Sequence, residues 1–104
     1  DVIVTPNGGR LIVHFFTGIL EYAQTIETFQ VIQEAMDEIL IKIVPTVDFK
    51  IQDWEVLHRE IMEKSGDSDL KVIMELVDLR SLEQSDKRRF VISKINPVIQ
   101  NSKS

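Results

Sequence analysis

The chain contains no cysteine, which rules out disulfides and thiolate nucleophiles and removes most structural zinc sites. That absence fits a cytoplasmic protein. No apolar run approaches the length of a membrane span, and no segment has the layout of a signal peptide. An excess of positive charge is also missing. Twelve basic side chains against seventeen acidic ones leave a formal net charge of −5, which argues against a nucleic-acid binder. Neither G-x-S-x-G nor G-x-x-x-x-G-K-[ST] occurs, so nothing marks a nucleophile elbow or a phosphate-cradling loop. At 104 residues the chain is one domain, able to bury a single core but too short to enclose a deep pocket as well.

What the chain does have is an ordinary globular composition, 43% hydrophobic and 28% charged. Its charge is uneven. Acids dominate up to about Asp78, whereas Lys87, Arg88, Arg89, Lys94 and Lys103 gather near the end. Such a basic terminal third suits an anionic ligand or an acidic partner surface, or else a solvated tail.

The organising stretch is Glu38 to Val44. Ile39, Ile41 and Ile43 recur at a period of two and share one face of a strand, with Leu40, Lys42 and Val44 on the other. A strand apolar on one face and nearly so on the other belongs in the middle of a sheet. Ahead of it, Phe29 to Glu34 reads as a strand joined to it in an antiparallel hairpin through Ala35-Met36-Asp37. Pro45 and Asp48 close the central strand. Trp54, Leu57, His58, Ile61 and Met62 then mark the buried stripe of a helix over 51–64, with Phe49 placed to staple its start and Gly66 to cap its end. Leu70 to Asp78 is the third main strand, its direction open. The simplest layout is β-β-α-β with the helices on one face.

Upstream, Val2 to Thr5 and Arg10 to Val13 flank Pro6-Asn7-Gly8-Gly9, a strong turn signal, and read as a two-stranded ribbon. A ribbon this small must lean on the body or on a partner. From His14, residues Phe15, Phe16, Ile19, Leu20 and Ala23 fall on one helical face, weakened by Gly18 and ending near Tyr22 or Gln24. Residues 79–89 read as an exposed loop, and Phe90, Val91, Ile92 and Ile95 as a short terminal element. The fold class is therefore α+β, a small ribbon plus a three-stranded sheet with helices packed on one face.

No constellation of residues announces an active site by spacing alone. His14 and His58 lie far apart beside apolar residues, and nothing at helical spacing completes a metal-ligand set. Trp54 and the phenylalanines are core residues before they are stacking groups. Asp37, Glu38 and Asp53 suit turns and a helix start.

The segment Ser85-Asp86-Lys87-Arg88-Arg89-Phe90-Val91-Ile92-Ser93-Lys94-Ile95 is similar to the terminal signature of adenylate-forming enzymes, which carry a lysine on a loop after the last main strand. The branch it most resembles is phenylacetate–coenzyme A ligase together with the adenylyltransferase-like proteins of capsular polysaccharide clusters. Collinear segments agree. Asp1 to Arg10 looks like the ribbon that follows that family's Gly-Arg-x-x-Asp hinge, Phe29 to Glu34 looks like its Phe/Ala-Gln-x-x-Gln-Glu strand, and Ile41 to Pro45 resembles the strand after it. Two positions depart from the pattern. Asp86 stands where the loop has glycine, and Ser81 where it has proline. The acidic residue that many members carry after the ribbon is not matched near Phe15 and Phe16.

The resemblance implies a single C-terminal domain over 1–104, a fragment of a longer enzyme and inactive alone, with a ribbon at 1–13, an α+β body at 14–95 and a polar tail at 96–104. It implies Lys87 as the adenylation lysine, and Gly8, Gly9 and Arg89 as cofactor-contacting residues. ATP and Mg would be bound mainly by an N-terminal nucleotide-binding domain of the same chain, with coenzyme A as co-substrate. The partner it implies is that domain; separately, the open sheet edge or the exposed ribbon suits a homodimerisation unit compatible with that reading, and neither nucleic acid nor a membrane is expected as a partner. The rival reading is a stand-alone β-α-β regulatory, ligand-binding or dimerisation module without catalysis.

Overall fold

The computed structural model describes residues 2–21 and 23–82 and the backbone of 91–93. The order of elements is β1 (Ile3–Val4), β2 (Arg10–Leu11), α1 (Val13–Leu20), β3 (Ile26–Ala35), β4 (Glu38–Pro45), α2 (Ile51–Ser65), β5 (Lys71–Leu76), a 3-10 turn (Leu79–Ser81) and β6 (Val91–Ser93). The fold is α+β, as the patterning predicts. β1 and β2 form an antiparallel ribbon, and the main sheet has the order β5-β4-β3-β6. The terminal element at Val91–Ser93 thus adds a fourth strand to the three expected, parallel to β3.

β4 is the interior strand that its isoleucines demand. Ile39, Ile41 and Ile43 are fully buried and stand opposite Gln33, Val31 and Phe29 of antiparallel β3. On the other side β5 runs parallel to β4, with Ile39 beside Val72 and Ile41 beside Met74. That parallel return is the crossover connection a β-α-β unit requires, with α2 as the crossing element. The alternate residues Phe29, Val31, Ile39, Ile41, Ile43 and Val72 form one cluster with Phe16, Ile19 and Leu20 of α1 and Leu57 and Ile61 of α2. Both helices therefore pack on one face. Each fully buried isoleucine contributes roughly 1.5–3 kcal/mol through removal from water.

α2 spans almost the range its stripe predicts, and its ends have clear causes. At the N-terminus the Lys50 N–H donates to Asp53 Oδ2 at 2.9 Å, satisfying a backbone donor that has no intrahelical acceptor. The same oxygen accepts the Thr25 hydroxyl at 3.0 Å, tying the loop before β3 to the helix start. At the C-terminus Gly66 takes the left-handed conformation, φ 70°, that terminates helices without a Cβ clash.

Several boundaries differ from the sequence reading. β3 begins at Ile26 rather than Phe29, because Ile26 pairs with Pro45 and Thr28 with Val44 across a one-residue slip in register. The ribbon strands are shorter than expected. Val13, read as the end of the second strand, is the first residue of α1. α1 stops at Leu20, short of Tyr22, and buries Phe16, Ile19 and Leu20, while Phe15 and Ala23 pack at the margin. β5 is confined to Lys71–Leu76, and Asp78 instead caps the 3-10 turn, its Oδ1 accepting from Ser81 N and Oγ at 3.1 Å each. Among the described residues no helix is long and apolar enough to cross a membrane.

Candidate functional site

The ribbon turn, where the sequence places Gly8 and Gly9, is the best-defined polar feature among the described residues. The Gly8 N–H donates to the Thr5 carbonyl at 2.9 Å, and the Thr5 N–H to the Gly9 carbonyl at 2.9 Å. Proline in second place, at Pro6, presets the backbone for such a turn. Gly8 has φ +90°, a region that L side chains avoid. Gly9 is required for another reason. A Cβ there would lie 2.9 Å from Thr5 Oγ1 and 3.2 Å from Asn7 Oδ1, the two oxygens that accept the Gly9 N–H at 2.9 and 3.0 Å. Thr5 Oγ1 in turn donates to Asn7 Oδ1 at 2.6 Å. The turn itself thus accounts for both glycines, while the space above Gly8 is open, with no atom within 4 Å of a Cβ built there.

Two side chains fasten this ribbon to the body. Gln33, fully buried, donates from Nε2 to the Val4 carbonyl at 2.7 Å and accepts the Val4 N–H on Oε1 at 3.2 Å. Its carboxamide thereby replaces the neighbouring strand that β1 lacks on that side, which satisfies two backbone groups at once. Gln33 Nε2 also reaches the Met36 carbonyl at 3.4 Å. The second anchor is Asp67, 4% exposed, just past the cap of α2. Its Oδ2 accepts the Asn7 N–H at 2.8 Å and its Oδ1 the Asp69 N–H at 2.9 Å, while Asn7 Nδ2 donates to the Gly66 carbonyl at 3.3 Å. The ribbon turn and the end of α2 therefore form one hydrogen-bonded unit with Gly8 at its exposed tip.

Neither anchor was a sequence-level candidate. Gln33 had a signal, since the inward alternation Phe29, Val31, Gln33 places an amide where an apolar residue is expected. Asp67 had none, because its partner lies sixty residues away.

Lys87 and Arg89 lie outside the described residues. The segment leading to them starts from the sheet face opposite the helices, where Lys42 Nζ donates to the Ser81 carbonyl at 3.3 Å. It is followed by β6, paired with Val31, Ile32 and Gln33. His14 is exposed on α1. His58 is half-buried on α2, its ring tilted against Trp54 with centroids 5.6 Å apart. Both line no common site. Trp54, His58, Met62 and Val72, with Glu55, Arg59 and Glu63, border an open groove of about 580 Å³ along the flank of α2 beside β5. Among the described residues no group of three or more histidine, aspartate or glutamate side chains could hold a metal ion.

A family model described as the CapK C-terminal domain matches residues 3–94. The chain belongs to the CapK C-terminal domain family. The match runs from the ribbon through the sheet to β6, so every element described above is part of the family's domain. Comparisons with curated proteins and with solved structures return no match.

Proposed function

We propose that this CapK C-terminal domain is the mobile small domain of an ATP-dependent, acyl-adenylate-forming ligase. In that reading a larger N-terminal domain of the same chain binds ATP, Mg and a carboxylic acid. The carboxylate attacks the α-phosphate, pyrophosphate departs, and an acyl-adenylate remains. A thiol, coenzyme A, then attacks the acyl carbon and releases AMP. The observation that carries the proposal is the family match over residues 3–94, which includes both the ribbon and the position of Lys87.

Each half-reaction makes a different demand on the small domain. The first builds negative charge on the α-phosphate and the leaving pyrophosphate, and the Lys87 ammonium is a compact point charge suited to stabilise it. Asp86, its neighbour in sequence, would compete for that ammonium. The second needs a narrow passage for a thin arm. Open space above Gly8 and the fastening of the turn through Asp67 and Gln33 make the Gly8–Gly9 tip a firm, side-chain-free edge for one, which supports a role for Gly8 and Gly9 beside the pantetheine chain. Arg89 supplies a further cation toward phosphate. In this reading Mg, like ATP, is held mainly by the other domain.

Removal of this domain from the full-length enzyme tests the reading at its coarsest level. The truncated protein should retain ATP binding by calorimetry and lose ATP–pyrophosphate exchange. Exchange at the parental rate without the domain would overturn the proposal.

A further inference from the structure

We propose that the free edge of β5 pairs with β5 of a second copy of this chain, antiparallel and centred on Ile73, to give a continuous eight-stranded sheet. The proposal is independent of the ligase reading and rests on the strand's own geometry and charge.

β5 is the terminal strand of the main sheet, and among the described residues nothing pairs with its outer edge. Its inward and outward backbone groups are fixed by two bonds. The Lys71 N–H reaches the Asp37 carbonyl at 2.7 Å and the Val77 N–H reaches the Ile43 carbonyl at 2.9 Å. Residues 71, 73, 75 and 77 therefore direct their N–H and C=O groups at β4, because hydrogen-bonding direction alternates along a strand. Val72, Met74 and Leu76 present theirs outward, a row of donors and acceptors unpaired among the described residues, of the kind that templates strand addition. The strand does little to discourage this. It has no proline, and Ile73 and Leu76 are 43% and 49% exposed.

Two-fold pairing of this edge with itself allows few registers, because an outward residue must face an outward residue. A centre at Val72 sets Lys71 against Ile73 of the second copy. A centre at Met74 sets Ile73 against Glu75. A centre at Ile73 matches every pair around the axis: Lys71 faces Glu75, Val72 faces Met74, and Ile73 faces itself. In this register the Lys71–Glu75 pairs are the non-hydrogen-bonded kind, whose side chains come closest. Opposite charges across such pairs stabilise, and like charges destabilise. The antiparallel two-fold keeps the helices of both copies on the same face. It brings the Val72 side of the groove bordered by Trp54 and Met62 up to its own copy. The β1 edge of the ribbon is not equivalent, because the outward groups of Val4 are already taken by Gln33.

Sedimentation equilibrium of the 104-residue chain should show a concentration-dependent dimer. Lys71→Glu and Glu75→Lys, both at exposed positions, should each weaken it at least tenfold while circular dichroism stays native. An equimolar mixture of the two variants should associate again, since each heterologous pair then unites opposite charges. The register has its own readout. With no native cysteine, Ile73→Cys should oxidise to a covalent dimer across a Cα separation of about 4.5 Å, and Leu76→Cys, far from the axis, should not. A monomer at every concentration, a dimer indifferent to both charge reversals, or cross-linking at residue 76 in preference to 73 would overturn the proposal.

Discussion

Replacement of Gln33 by leucine isolates what holds the ribbon to the body. Leucine roughly keeps the buried volume and removes the carboxamide. The Val4 N–H and C=O then lose their partners at 3.2 and 2.7 Å. A buried backbone group left unpaired costs about 1–3 kcal/mol. Val4 is half-buried, so water recovers part of that, and the pair together should cost about 2–3 kcal/mol. For a domain of this size such a loss lowers Tm by roughly 10–20 °C. The local effect is more diagnostic than the global one. Hydrogen exchange at the Val4 amide should accelerate by about 30- to 150-fold, the same free energy read as an opening equilibrium. Amides of β4 should change only as far as global stability does. Unchanged protection at Val4 in Gln33→Leu would refute the claim that this side chain stands in for a missing strand.

Two glycine substitutions should act in opposite directions. Gly66→Ala forces a Cβ into φ 70° with no atom within 4 Å, so its penalty is conformational, about 1 kcal/mol by urea unfolding. Gly18→Ala, exposed within α1 and equally free of contacts, should stabilise by up to about 1 kcal/mol. Ile41→Ala, at the fully buried centre of the sheet between Val31 and Met74, should cost about 2–5 kcal/mol in the same assay. On the proposed ligase reading, Asp86→Gly in the full-length protein should raise the rate of ATP–pyrophosphate exchange, because a neighbouring carboxylate would compete for the Lys87 ammonium. A decrease would show that Asp86 supports the lysine instead.

How far the sequence announces the structure depends on how local each cause is. The isoleucine repeat of β4 is a period-two signal strong enough to place the strand inside a sheet, and Ile39, Ile41 and Ile43 are all fully buried there. Gly66 ends α2 for a reason visible in one residue. The direction of β5 could not be read, since it depends on where the chain lands after α2. The early start of β3 at Ile26 was hidden because Thr25, Glu27 and Thr28 look like loop, and pairing with Val44 and Pro45 overrides that local preference. The site divides in the same way. Gly8 and Gly9 were legible from turn chemistry. The clamp that makes the turn rigid was not, because Asn7 and Asp67 meet only in three dimensions. Lys87 rests on motif resemblance and not on pattern, and it lies outside the described residues.

The measurement that bears most directly on the central claim is single-turnover kinetics of Lys87→Ala in the full-length enzyme, with the two half-reactions followed separately. Pyrophosphate release from ATP and acid should slow by about 100- to 1,000-fold, the usual effect of deleting one preorganised charge stabiliser. Thioester formation from preformed acyl-adenylate should stay within a few-fold of the parent rate. Equal slowing of both steps, or no slowing of the first, would contradict the account.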